Sequence, residues 1–128
     1  MMQPIQRVPF PGGDSPIPAA TEVNGLIFAR GLLPIRYDNP RARVPEGIEQ
    51  QTALVLSHAK ALLKQMALTE DRLLTVSIGL SNLARDYERM DRVYRASFGN
   101  GALAARSCAG VAELPGECLI QFDFTAAR

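Results

Sequence analysis

The chain has no tryptophan, one histidine and two cysteines, and aromatic residues make up only 6% of its 128 positions. Two cysteines cannot build the disulfide framework that staples small secreted domains, and neither belongs to a Cys-x-x-Cys pair of zinc-site spacing. A lone histidine, His58, with no cysteine or carboxylate cluster argues against a metal centre, so neither a metal nor a cofactor is expected. A charge excess is missing too: 14 Lys and Arg stand against 13 Asp and Glu, a formal net charge of +1. That balance argues against nucleic acid as a partner, which usually demands a basic stripe. No apolar run approaches the ~20 residues of a membrane span. The first 18 residues, broken by prolines, lack the apolar centre of a signal peptide. The expectation is a cytoplasmic protein with no membrane partner.

What is present reads as a folded domain. Hydrophobic content of 47% and charged content of 21% are those of a globular protein. The length allows a single domain, 1–128, that buries its own core, with 1–16 partly irregular. A short strand is expected over 3–8. Pro11-Gly12-Gly13-Asp14-Ser15-Pro16-Ile17-Pro18 defeats both helix and strand. A strand follows over 23–30, with Asn24-Gly25 as a tight turn just ahead of Leu26. Leu32-Leu33-Pro34-Ile35 continues extended, and 37–45 is a loop.

Ile48, Thr52, Val55, Ala59, Leu62 and Met66 recur at spacings of four and three, which predicts a helix over 46–67. Leu74, Val76, Ile78 and Leu80 alternate with smaller residues and predict a strand over 73–80. A second helix over 85–98 buries Tyr87, Met90, Tyr94 and Phe98. Its outer face carries Glu88, Arg89, Arg92 and Arg95. Asn100-Gly101 ends that pattern. Two closing strands joined by a turn at Pro115-Gly116 complete the chain, the second alternating at Cys118, Ile120, Phe122 and Phe124. Two helices on one mixed sheet make a two-layer α+β fold. The uncovered face of such a sheet, if apolar, needs a partner subunit.

Ala105-Arg106-Ser107-Cys108 carries the chemistry. Strand alternation sets Arg106 and Cys108 on one face. A guanidinium among small residues in a strand bound for the core is costly unless paired, and its planar fork suits a carboxylate. Arg106 therefore reads either as the anchor of a small carboxylate ligand or as half of a structural ion pair.

In order along the chain, Asn24 to Gly31 ahead of Leu32-Leu33-Pro34, Gln51-Thr52 opening a helix, Asp91-Arg92-Val93-Tyr94 with Phe98, Ala105-Arg106-Ser107-Cys108, Leu114-Pro115 and the closing strand resemble the RidA (YjgF) family of reactive-intermediate deaminases. The resemblance spans nearly everything from Ser15 onward. It implies a chorismate mutase-like fold and a homotrimer with clefts between subunits. It also implies an enamine/imine deaminase that hydrolyses a small carboxylate-bearing intermediate to a keto acid and ammonia. By resemblance Arg106 clamps the carboxylate, while Gly31 and Cys108 line the pocket. Ile17 stands where a tyrosine closes the pocket mouth, Arg30 where a serine precedes Gly31, and Asp91 where an asparagine is usual.

The departure that matters most is Gln121, at the place of the water-activating glutamate. A glutamine can hold water but cannot take its proton, and a general base typically contributes about 10²–10⁴-fold. This keeps open a non-catalytic, ligand-binding homologue. Asp123 lies on the same strand face, roughly 7 Å along, as a substitute carboxylate or a plain surface residue. Arg30 reads as a second cation for a more anionic ligand or as an outward surface pair. Cys108 reads as a reactive thiol, if Arg106 lowers its pKa, or as packing. His58 reads as structural.

Overall fold

The computed structural model describes residues 2–13, 15–99 and 104–128; the break expected at Asn100-Gly101 lies outside the described residues. Alternation in the last strand sets the frame. In β6 (Ile120–Ala127), Ile120, Phe122, Phe124 and Ala126 are buried, while Gln121, Asp123, Thr125 and Ala127 are half-buried on the opposite face. Each fully buried side chain of that size is worth about 1.5–3 kcal/mol. The strand therefore sits at the centre of the sheet with one face fixed to the core.

β6 pairs antiparallel with β3 (Leu26–Leu32) on one side and with β4 (Leu73–Leu80) on the other. Outside these lie β2 (Ala20–Val23), β1 (Gln6–Val8) and, at the far edge, β5 (Ala105–Gly110), giving the order β1-β2-β3-β6-β4-β5. α1 (Ile48–Gln65) and α2 (Leu83–Phe98) pack against each other and cover one face. The observed two-layer α+β architecture agrees with the sequence reading.

The apolar stripe on α1 is buried from Ile48 through Met66 as its spacing requires. α2 begins at Asn82, whose side chain caps it by accepting a hydrogen bond from the N–H of Arg85 at 3.1 Å. Its amphipathic face is shifted from expectation. The buried positions are Asp86, Met90, Tyr94 and Phe98, whereas Tyr87 is exposed. Asp86 can be buried because Arg85 and Arg89 both bond its carboxylate, at 2.8 and 3.0 Å.

Two strand expectations are corrected. The strand expected over 23–30 is the second half of a hairpin. Asn24 and Gly25, with φ of 53° and 76°, form a turn of the kind that closes two-residue hairpins, and Ala20–Val23 pairs back on Leu26–Ala29. The closing strands are not neighbours, because β4 lies between them. β5 runs parallel to β4, which needs a crossover, and α2 provides it. The 111–119 connection then crosses the end of β4: the N–H of Val111 donates to Leu80 and that of Ser81 to Leu119.

The sheet face away from the helices is more polar than expected. Leu26 and Phe28 are exposed there, but Thr75, Thr125, Ser77, Ser107 and Asp123 share the same face. Apolar area alone does not demand a cover.

Candidate functional site

Arg106 and Cys108 lie opposite the buried Val76 and Ile78 in the β4–β5 ladder, so their side chains turn toward the helices. β5 is the edge strand, and the guanidinium emerges beside α2. There Tyr87, Asp91 and Tyr94 fall at helical spacing on one stripe. Arg106 Nη1 donates to Asp91 Oδ1 at 2.7 Å and Nη2 to Tyr87 Oη at 3.0 Å. Its carbon centre lies 4.7 Å from the Tyr94 ring centroid, within cation–π range. The other Asp91 oxygen accepts from Arg95 Nε at 2.9 Å.

An arginine has five N–H donors. Arg106 spends two of them in this way, and the other three have no partner among the described residues. The ion pair is mostly enclosed, with side-chain exposures of 15% for Arg106 and 20% for Asp91. Burial works against the Asp91 charge, but hydrogen bonds from Arg106 and Arg95 outweigh it and hold the carboxyl below its ordinary range. Burial likewise opposes the Arg106 charge and is overcome by the Asp91 bond. Burial pushes the Cys108 thiol up, with Arg106 pulling weakly the other way. Of the two readings of Cys108, an activated sulfur or a packing residue, this upward shift favours packing.

A second group gathers on the open face. β3 carries a bulge between Ala29 and Leu32, where Gly31 adopts φ 75°, a backbone that glycine takes at little cost. Its freed N–H donates to Asp123 Oδ1 at 2.6 Å. Arg30 is exposed and reaches Asp123 only at 3.7 Å. Arg30 and Asp123, with Thr75, Ser77 and Thr125, line a shallow cavity of about 190 Å³. Gln121 points to this same face, paired with Gly79 in β4. A larger groove of about 340 Å³ between the 33–44 loop and 115–118 is mainly apolar and holds none of the candidate residues, so size does not locate the site.

Within one chain the candidates therefore fall into two groups on opposite sides of the sheet. Arg106, Cys108 and Asp91 come together. Arg30, Gly31 and Gln121 share the open face. Ile17 lies outside both, exposed in the segment leading into β2, with its N–H bonded to Ser15 Oγ. Three residues have contacts that the sequence reading missed. Tyr87 was assigned to the core, although its spacing of four from Asp91 places both toward Arg106. Asp123 bonds Gly31, a pairing set by the bulge and invisible in a linear pattern. Gln51 is buried; its Nε2 donates to the carbonyls of Pro45 and Glu117, and its Oε1 accepts from Leu119 N–H. His58 is structural, with Nε2 2.6 Å from the Ile35 carbonyl.

This architecture is that of a known class of small α+β proteins. The family described as Endoribonuclease L-PSP matches residues 15–128. The chain is 30% identical over 124 residues to a RutC family protein of Pyrococcus abyssi, covering 96% of this chain and 93% of that one. It is 26% identical over 131 residues to the 2-iminobutanoate/2-iminopropanoate deaminase of Escherichia coli, covering 100% and 99%. The crystal structure of a Rid family protein, YyfA from Yersinia pestis, superposes with a TM-score of 0.88 at 26% identity, covering 98% and 100%. The chain belongs to the YjgF/RidA family.

Proposed function

We propose that this protein is an enamine/imine deaminase-type hydrolase for a small carboxylate-bearing intermediate, with Arg106 as the anchor. The observation that carries this reading is Arg106 itself, a mostly enclosed guanidinium at a sheet edge with three N–H donors uncommitted among the described residues. A relative named as a 2-iminobutanoate/2-iminopropanoate deaminase supports the reaction class. In that reaction water adds through oxygen to C2 of a 2-iminium acid. Two protons pass to nitrogen, the C–N bond breaks, and a 2-oxo acid and ammonium leave. Gln121 would orient this water without taking its proton. Positioning a reactive imine beside water is itself a substantial contribution to rate.

A small ligand cannot reach both faces of one sheet. Joint use of Arg106 and of the Gly31–Gln121 side therefore calls for two copies, and we assign the site to clefts of a homotrimer. One observation favours a second reading, a homologue that binds small carboxylates without turning them over. Gln121 carries no charge, and the nearby Asp123 carboxylate is engaged by the Gly31 N–H.

The test is ammonia release from 2-iminobutanoate, generated in place by an amino-acid oxidase, for the wild type, Arg106→Ala and Gln121→Glu. Wild-type activity abolished by Arg106→Ala is the expected result. Activity appearing only in Gln121→Glu selects the binding reading. Silence from all three removes the deaminase reading and leaves the anchor to be tested by ligand binding.

A further inference from the structure

We propose that Asp91 is the specificity-determining residue of the Arg106 site, selecting ligands that carry a cationic nitrogen on the carbon next to their carboxylate over 2-oxo acids and simple carboxylates. This rests on the reading of Arg106 as a carboxylate anchor and names the protonation state of the substrate that the anchor accepts.

Asp91 Oδ1 lies 2.7 Å from Arg106 Nη1, so any carboxylate seated on the free donors of Arg106 comes to rest near a second carboxylate. In a pair this enclosed, the repulsion between them is poorly screened by solvent. A simple carboxylate gains one charge contact there and suffers one repulsion. A 2-ammonio or 2-iminio acid presents both signs, its negative end to Arg106 and its nitrogen to Asp91, matching the polarity of the ion pair.

Asp91 has the capacity for this. An ionised carboxylate offers about four acceptor positions, and Arg106 and Arg95 occupy two of them. Arg95 is the weaker holder, since 66% of its side chain is exposed, and it can yield its place to a ligand N–H. Asp91 is also held ionised by these two arginines, so it stays an acceptor across neutral pH. The consequence extends to reactivity. The iminium is the electrophilic form of an imine, and a fixed negative charge beside its nitrogen favours that form in a site where residue 121 supplies no carboxylate.

The experiment is calorimetric titration of the full chain with 2-aminobutanoate, 2-oxobutanoate and butanoate at fixed ionic strength. It is run on the wild type, Asp91→Asn and Arg106→Ala. The wild type is expected to bind 2-aminobutanoate about tenfold or more tightly than butanoate. Asp91→Asn, whose amide oxygen still accepts from Arg106, should lose that preference while holding butanoate as well as or better than before. A residue that merely braced Arg106 would change all three ligands in parallel. Equal wild-type affinity for 2-aminobutanoate and butanoate, or a preference that survives in Asp91→Asn, overturns the proposal while leaving the anchor intact, provided Arg106→Ala abolishes binding. If the wild type binds none of the three, the anchor falls and this inference with it. Should Asp91→Asn fold poorly, Asp91→Ser, whose hydroxyl can still accept from Arg106, takes its place with the same outcomes.

Discussion

The N–H of Gly31 and the carboxylate of Asp123 are ninety-two residues apart in sequence and meet at 2.6 Å across the β3–β6 pair. The bulge removes Gly31 from the ladder, and Asp123 satisfies the donor that the bulge leaves over. Asp123→Ala should therefore cost about 1–3 kcal/mol, the usual toll for orphaning a partly buried donor with a charged acceptor. Asp123→Asn, whose side-chain oxygen can still accept, should cost less than half of that. Urea denaturation of the two variants checks the order. Equal losses would mean that the charge, through Arg30, matters more than the hydrogen bond.

Gln51 holds together three segments that no helix or strand connects: the loop at Pro45, the turn at Glu117 and the entry to β6 at Leu119. Its amide is buried, with donor and acceptor ends both used. Gln51→Ala should destabilise by about 2–4 kcal/mol, since buried backbone groups lose their partners. Gln51→Glu should be little better, because an ionised carboxylate cannot donate to two carbonyls. Thermal and chemical denaturation measure both. A small loss in either would show that water enters and replaces the amide.

These contacts mark where the sequence stops being legible. Periodicity reports which face of an element is buried, so α1, β4 and the alternation of β6 could be read directly. It does not report which strands are neighbours, and β5 and β6 were set side by side when β4 divides them. Arg106 stood out because a charge among small residues is anomalous. That its partner is Asp91, fifteen residues earlier on another element, needed the crossover geometry. Tyr87 was misread for a related reason: an aromatic ring on an amphipathic helix is normally core, and the charged Asp86 takes that place only because two arginines neutralise it.

Acid should destabilise the protein in two separate windows. His58 is half-enclosed, and burial lowers its pKa from the ordinary 6.5, opposed by its bond to Ile35. The unfolded chain thus binds a proton first, so stability is complete above 6.5 and declines as pH falls from there toward the folded value. The Asp91 carboxyl, whose burial is outweighed by its arginine bonds, is held below its ordinary 3.8, so its contribution is lost only below that pH. Chemical denaturation between pH 2 and 8 should show His58→Asn flattening the upper limb and Asp91→Asn the lower. A single merged transition unaffected by either substitution contradicts the assignment.

Cys108 shares the Arg106 face, and the two influences on its thiol oppose each other. Burial raises the pKa, Arg106 lowers it, and burial wins. Cys118, raised by burial alone, provides an internal reference. In the native protein at pH 7.5, iodoacetamide should label Cys108 at under about a tenth of the rate of a free small thiol, because the thiolate is the reacting species. Arg106→Ala, if folded, should slow it further by removing the cation that acts on the sulfur. Both cysteines should label readily in denaturant. Rapid native labelling confined to Cys108 would mean that the guanidinium dominates and that a covalent step through sulfur has to be considered. Slow labelling agrees with the proposed hydrolysis, in which water and not sulfur is the nucleophile.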